Sequence, residues 1–424
     1  MAGNADIVIT GRGIVCGGGA TIEDVWDTLV SGKTAVVPYE QWDREGWPVR
    51  HAAEVKQTKR ELVPNRKLHK SISRTDFFGL YAGDRAIEDS GLGTFRDGLP
   101  EDERARFEDR SGIIAGSGGG NYHANYDFLV TIAETGGALP DFGRELGNTV
   151  TPMWLLRGLP NNVLCHVGIN HQLKGTNACI TNQCAGGILA VSEAMNSLRM
   201  AEADRIVAIG HDAPFEPENV LYYHRMGLMD DGPPRPFDAA RRGTAFGEGA
   251  GALVLETAES AGNRGADIQG RVLGAGCVTE GTGVVDLRGD GDGVRRAIEL
   301  ALEDAGLSPS GVALICAHAN GTKASDASEA AGIRAVFGES IPPATGFKWA
   351  VGHTIAASGI IDVVMTVEAL RRKQIPGVGT LQQVDETLAP FPVSSEVRSL
   401  EGEAAVVICR GFGGMNVALV LGAA

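Results

Sequence analysis

Glu88-Asp89-Ser90-Gly91-Leu92 closes one helical stretch, and Glu303-Asp304-Ala305-Gly306-Leu307 closes another. Helical spacing runs over 76–92 and again over 295–307. In each pentapeptide the glycine stands where a helix ends in a left-handed residue. Each stretch leads through a linker into a strand and a glycine-rich loop. Ser111-Gly112-Ile113-Ile114-Ala115-Gly116 runs into Gly118-Gly119-Gly120, and Val312-Ala313-Leu314-Ile315-Cys316-Ala317 runs into His318-Ala319-Asn320-Gly321-Thr322. Each copy then offers a small-residue helix, 184–202 in the first and 353–372 in the second. A single matching pentapeptide carries little weight. The repeated order of elements, roughly 215 residues apart, points to an internal duplication. Alternating strands and helices imply sheets covered by helices on both faces. The halves divide near 257–268, after a strand at 251–255, so we set them at 1–260 and 261–424.

Outward from these copies, residues 6–15 read as a buried strand broken by glycines. Thr21 caps a helix that runs to Val30. The stretch 38–75 is polar and irregular, a surface excursion, and 95–110 reads as a charged loop. The chain has 424 residues, 43% apolar and 21% charged, enough for a large core. Its 59 glycines are about twice average usage and imply many tight turns or close approaches. The formal charge of −15, without a Lys/Arg block, argues against nucleic acid as a partner. No apolar run reaches the ~20 residues of a membrane span. The N-terminus lacks the basic and apolar regions of a signal peptide. Seven cysteines without a CxxC pair read as reduced thiols of a cytoplasmic protein. No cluster has metal-ligand spacing and no dinucleotide fingerprint appears, so no cofactor is expected.

The chemistry concentrates in 174–191, Lys-Gly-Thr-Asn-Ala-Cys-Ile-Thr-Asn-Gln-Cys-Ala-Gly-Gly-Ile-Leu-Ala-Val. Residues 176–183 read as a buried strand, with Cys179 structural. Cys184 opens a helix, where the positive end of the dipole favours a thiolate. Glycines behind it leave room for a substrate. The competing reading is a small buried hydrophobe. In the second half Gly346-Phe347-Lys348-Trp349-Ala350-Val351-Gly352-His353 leads into the small-residue helix, which sets His353 opposite Cys184 by the duplication. Lys348 and Glu329 complete a polar network, and the loop His318–Thr322 approaches the same pocket. Gly411-Phe412-Gly413-Gly414 is a turn suited to offering N–H donors to an oxyanion.

Nearly end to end, the chain resembles the β-ketoacyl-acyl-carrier-protein synthases of the thiolase fold. The resemblance rests on Thr10-Gly11-Arg12-Gly13, Arg235-Pro236-Phe237-Asp238, Gly247-Glu248-Gly249-Ala250-Gly251, Lys348 with His353, and Gly411-Phe412-Gly413-Gly414. It implies a layered α-β-α-β-α arrangement of two α/β halves, the first carrying dimerisation insertions. It also implies Cys184 as acyl-accepting nucleophile and His353 as the second catalytic histidine. Lys348 and Glu329 become the supporting pair and Phe412 the gating aromatic, between Gly411 and Gly413. An acyl carrier protein and a second ketosynthase subunit, or a second copy, are the implied partners.

The departures are specific. Asn320 stands where the family has its first histidine before Gly-Thr, and His318 lies two residues earlier. Arg410 replaces an aromatic, and the loop after Asn320 is short. These features resemble chain length factors, the non-elongating partners in type II polyketide ketosynthase heterodimers, which usually lack the cysteine and second histidine kept here. The matching tunnel face would be Asn121, Ala124 and Phe128 on a helix at 121–132. Two readings follow. One is a tunnel-shaping partner subunit; the other is an enzyme elongating or transferring acyl groups through Cys184. A degradative thiolase would need Cys409 as its second cysteine, in a turn of different pattern.

Overall fold

The structure is a computed structural model that describes residues 5–40, 45–119, 126–388 and 390–424. Ten strands form its principal sheet. In the first half these are β1 (Ile7–Cys16), β2 (Ser111–Ser117), β3 (Asn177–Thr181), β4 (Arg205–Asp212) and β5 (Gly249–Thr257). In the second they are β6 (Gly270–Thr279), β7 (Leu314–Cys316), β8 (Ala344–Thr345), β9 (Ala404–Gly411) and β10 (Met415–Gly422). The order β3-β2-β4-β5-β1 recurs as β8-β7-β9-β10-β6. The pairings recur too: two parallel, then two antiparallel. This repeated topology is the duplication read from the sequence. Ile7–Ile9 pair with Gly270–Val272 and join the halves.

The helices place the layers. On the outside, α1 (Arg74–Ser90) packs on β1, β4 and β5, and α3 (Asp292–Ala305) packs on β6 and β10. Between the halves, α2 (Gly186–Arg199) packs on β2 and β4 and against α4 (Ser358–Arg372), which lies on β5 and β9. The result is the expected α-β-α-β-α order. Burial follows from it: every residue of β1 is buried, and all but the last two of α4.

The outer helices sit close because the strands beneath lack side chains at matched places. A Cβ at Gly11 or Gly13 would fall on the carbonyls of Ala86 or Ala82 in α1, and one at Gly274 or Gly276 on those of Ala301 or Ala297 in α3. The closing glycines are matched as well. Gly91 ends α1 at φ 68° and Gly306 ends α3 at φ 63°, conformations that cost glycine nothing.

Three expectations change. The charged stretch 95–110 is largely helical, with Leu92–Asp97 and Glu101–Asp109. Pro100 precedes an acidic first turn, Glu101 to Glu103, which suits a helix N-terminus, and buried Phe107 anchors the far end. The strand read as buried at 176–183 is β3, an edge strand paired only to β2 among the described residues, with both ends exposed. The helix read at 121–132 is seen as Tyr126–Glu134; Asn121 and Ala124 lie outside the described residues.

Gly13→Ala and Gly276→Ala are expected to destabilise the chain by about 1–3 kcal/mol each, the usual cost of overpacking. Urea unfolding midpoints measure this. An unchanged midpoint in both would remove the close-approach argument.

Candidate active site

The Cys184 turn and its counterpart are built alike. After β3, Gln183–Ala185 forms a 3₁₀ turn with Gln183 at φ 40°, and α2 begins at Gly186. Before α4, Ile355–Ala357 forms the same turn with Ile355 at φ 43°. The duplicate of Cys184 is therefore Ala356, not His353. His353 lies three residues earlier in an extended segment tied to the first half. Its N–H donates to the Ala245 carbonyl at 2.7 Å, and its carbonyl accepts from Gly247 N–H at 3.0 Å. That cross-half pairing, invisible in the local pattern, shifts the expected match.

The two groups nevertheless meet. A cavity with about 610 Å³ of empty space, part of it open to solvent, is lined by Cys184, Tyr223, His318, Asn320, His353 and Phe412, with Gly411 at its wall. The His318 and His353 rings stand edge to face, centroids 5.2 Å apart. Phe412 rests against Tyr223, centroids 5.3 Å apart. Gly413 is outside the lining, and its N–H donates to the Val284 carbonyl at 2.7 Å, so it offers no oxyanion donor. Cys409 is fully buried and its thiol faces the Cys184 carbonyl oxygen at 3.2 Å. It braces the Cys184 turn and lies outside the cavity lining.

Lys348 and Glu329 stand behind the cavity wall, both buried. The direct partner of Lys348 is Asp362 of α4, at 2.6 Å, rather than Glu329. Glu329 instead accepts the N–H groups of His318 and Ala319 at 2.6 and 3.0 Å and so holds the loop. Burial, the largest single influence, would lower the Lys348 pKa; Asp362 together with Cys409 and Cys316 outweighs it and raises it. The Lys348 charge then acts on the cavity. Burial first, and Lys348 second, hold His353 well below the ordinary imidazole range. His318 is held down by burial, then by Lys348, His353 and Arg410. Both rings are neutral at pH 7.

The expected helix-dipole thiolate does not form at rest. Burial, reinforced by Asp212, pushes the Cys184 thiol up to about 12, against the opposing pull of Lys348 and Tyr223. Desolvation outweighs a partial dipole charge.

The loop His318–Thr322, before the helix Lys323–Phe337, fixes both candidate first-histidine groups. The Asn320 side-chain oxygen accepts from Thr322 N–H and Thr322 Oγ1, both at 2.9 Å, so only its NH₂ remains. That NH₂ stands 3.4 Å from His318 Nε2. Arg410 N–H donates to His318 Nδ1 at 3.3 Å. A neutral imidazole has one acceptor. The other tautomer would take that acceptor from the buried Arg410 N–H, a loss of about 1–3 kcal/mol if unreplaced. The proton therefore sits on Nε2, and the Asn320 contact is donor against donor. Arg410 itself is anchored by Glu280, Asn416, Ser325 and Ser328.

Phe128 packs against Trp154 and Phe142, with centroids 4.9 and 6.5 Å away, and is outside the lining of the Cys184 cavity. Sequence reading missed Asp362, Asp212 and Tyr223. Asp362 had a signal, an acid inside the apolar run Ile360-Ile361-Asp362-Val363-Val364; the others had none. Among the described residues no helix is long and apolar enough to cross a membrane, and no His/Cys/Asp/Glu group could hold a metal ion.

An acyl-pantetheine thioester is expected to acylate Cys184 and leave Cys179, whose thiol faces the Pro160 carbonyl oxygen, unmodified. Peptide mapping checks this, with Cys184→Ala as control. Acylation at Cys179 with Cys184 inert would overturn the assignment.

Comparison with known proteins follows the same lines. The family model "Beta-ketoacyl synthase, N-terminal domain" matches residues 4–261, and "Beta-ketoacyl synthase, C-terminal domain" matches residues 269–382. The 3-oxoacyl-[acyl-carrier-protein] synthase 2 of Coxiella burnetii (strain RSA 493 / Nine Mile phase I) is 29% identical, covering 98% of each chain. Among solved structures, "The ishigamide ketosynthase/chain length factor" matches with a TM-score of 0.86 at 27% identity, over 99% of both chains. A beta-ketoacyl synthase from Burkholderia phymatum STM815 matches with a TM-score of 0.86 at 28% identity, over 99% of this chain and 100% of that one.

Proposed function

Because the chain belongs to the beta-ketoacyl synthase family, we propose that it accepts an acyl group on Cys184 and serves as the chain-length-factor-like partner of an elongating ketosynthase. Its setting would be type II polyketide or fatty acid synthesis in the cytoplasm, with an acyl carrier protein as donor. In the acylation step the Cys184 thiol loses its proton and its sulfur adds to the thioester carbonyl; the carrier thiolate then leaves and takes up a proton. The observation that carries the reading is Asn320. At the position the family gives to a histidine, it has its oxygen committed to Thr322 and only NH₂ left. An amide cannot carry the proton or charge an imidazole carries. Malonyl decarboxylation would then fall to the partner subunit.

The partner surface is supported by the region around β3. Leu129, Val130, Leu139, Leu155, Leu156 and Ile169 are all exposed there or on the helices before it, and β3 is an edge. We assign these insertions, within the first half 1–260, to dimer contact, and 261–424 to the second half. Asn121, Ala124 and Phe128 are proposed for the acyl tunnel that opens toward the partner.

A specific observation favours a second reading, a complete synthase. His318 lies in the cavity with Nε2–H free to donate to a substrate carbonyl. Carbon dioxide release from malonyl carrier protein separates the two. The isolated chain is expected to turn over 10²–10⁴-fold more slowly than an ordinary synthase, the usual loss when an acid–base group is missing, and Asn320→His to raise the rate. Turnover equal to an ordinary synthase, lost in His318→Ala, would establish the second reading instead.

A further inference from the structure

Among the polar groups lining the cavity, Tyr223 is one that neither reading employs. Tyr223 projects from the helix Pro217–Arg225 of the first half. Its ring is clamped edge to face against Phe246, centroids 4.9 Å apart, and tilted against Phe412. The side chain is 8% exposed, and its buried hydroxyl completes no hydrogen bond of full geometry, although it already acts on the Cys184 thiol as a neighbouring donor. A buried hydroxyl left unmatched is uncommon enough to need an explanation. Tyr223 packs in one apolar cluster with Cys184 and lines the same cavity.

We propose that Tyr223 is a further catalytic residue, whose hydroxyl donates a hydrogen bond to the Cys184 sulfur when the thiol ionises. The inference rests on Cys184 being the acyl acceptor. The chemistry favours donation in that direction. A phenol in this cavity stays protonated, because burial, then Cys184 and Asp212, push its own ionisation far above its ordinary range. It therefore acts as a donor that is always charged with its proton. A hydrogen bond to the charged form of an acid stabilises that form. In the thiol state the contact is not drawn into full hydrogen-bond geometry, which accounts for the incompletely matched hydroxyl at rest. Catalytic hydrogen bonds are often long or misaligned before the reacting charge appears.

The other groups acting on Cys184 come from every side of the turn. Asp212 at the end of β4 opposes ionisation, and Lys348 favours it. Cys409 of β9 contacts its carbonyl. His318 and His353, both neutral, share the cavity. Among these, Tyr223 and Lys348 are the two that favour the thiolate. Lys348 is paired with Asp362 behind the wall and acts by its charge, whereas Tyr223 lines the cavity and offers a hydroxyl donor.

Tyr223→Phe removes the hydroxyl and keeps the ring between Phe246 and Phe412. The test is iodoacetamide alkylation of the full chain as a function of pH, read by mass spectrometry at the peptide containing Cys184. Exposed Cys165 and Cys277 serve as internal references. The Tyr223→Phe chain is expected to alkylate Cys184 about tenfold more slowly at any pH below the midpoint, a shift of about one pH unit upward. The reference cysteines should be unaffected, and thermal melting should confirm a folded chain. Equal rates at Cys184 in the two folded proteins would overturn the proposal. Faster alkylation in Tyr223→Phe would overturn it too, since the hydroxyl would then be holding the thiol in its protonated form. If Cys184 fails to react in either protein while Cys179 does, the acyl-acceptor reading itself fails, a separate outcome.

Discussion

The site depends on one seam where no side chain fits. At Gly187, the second residue of α2, a Cβ would press on the Ala356 carbonyl and on Gly210 Cα. At Gly210 in β4 a Cβ would meet Gly187 Cα in turn. The start of α2, the end of β4 and the turn before α4 therefore converge at backbone distance. Asp212 closes the seam by accepting the Ala356 N–H at 3.2 Å. Cys184 lies three residues before Gly187 and His353 three before Ala356. Backbone contact at the seam thus sets the Cys184 thiol and the His353 imidazole around one cavity, although they come from different halves.

Legibility followed the locality of the cause. The closing glycines at 91 and 306 are short-range signals, and both were readable with the helices they end. Cys184 was readable because a thiol before glycines at a helix start is a local pattern. The match of His353 to Cys184 was misplaced because the spacing is set by pairing to Ala245–Gly247, more than a hundred residues away. Lys348 was read with Glu329, yet a helix one turn deeper supplies Asp362, and only the packing of α4 reveals it. Helix Glu101–Asp109 was hidden by its charge: most of its residues face water, and its register is set by burial of Phe107 beneath Arg205, whose guanidinium lies 3.9 Å from the ring centroid.

Charge at the cavity is governed by the burial of the side chains that line it. Desolvation keeps the imidazoles neutral and the thiol protonated. Two buried pairs, Lys348 with Asp362 and Arg410 with Glu280, supply a fixed field from the wall. Buried pairs of this kind add little net stability, though breaking one by removing a partner is costly. Their value here is geometric and electrostatic. The loop carrying His318 and Asn320 is held in the same manner, by Glu329 beneath it and the Arg410 strand beside it.

The edge at β3 bears on the life of the chain before assembly. Asn177–Thr181 offers an unmatched row of backbone donors and acceptors along one side, among the described residues, with leucines and Ile169 exposed nearby. A free strand edge is a template for any other strand. While the chain is newly made and alone, that edge competes for the first extended segment it meets, including those of its own unfolded siblings. Early burial of that edge is then a condition of yield, and delay would be felt first as insoluble protein, before any change in chemistry.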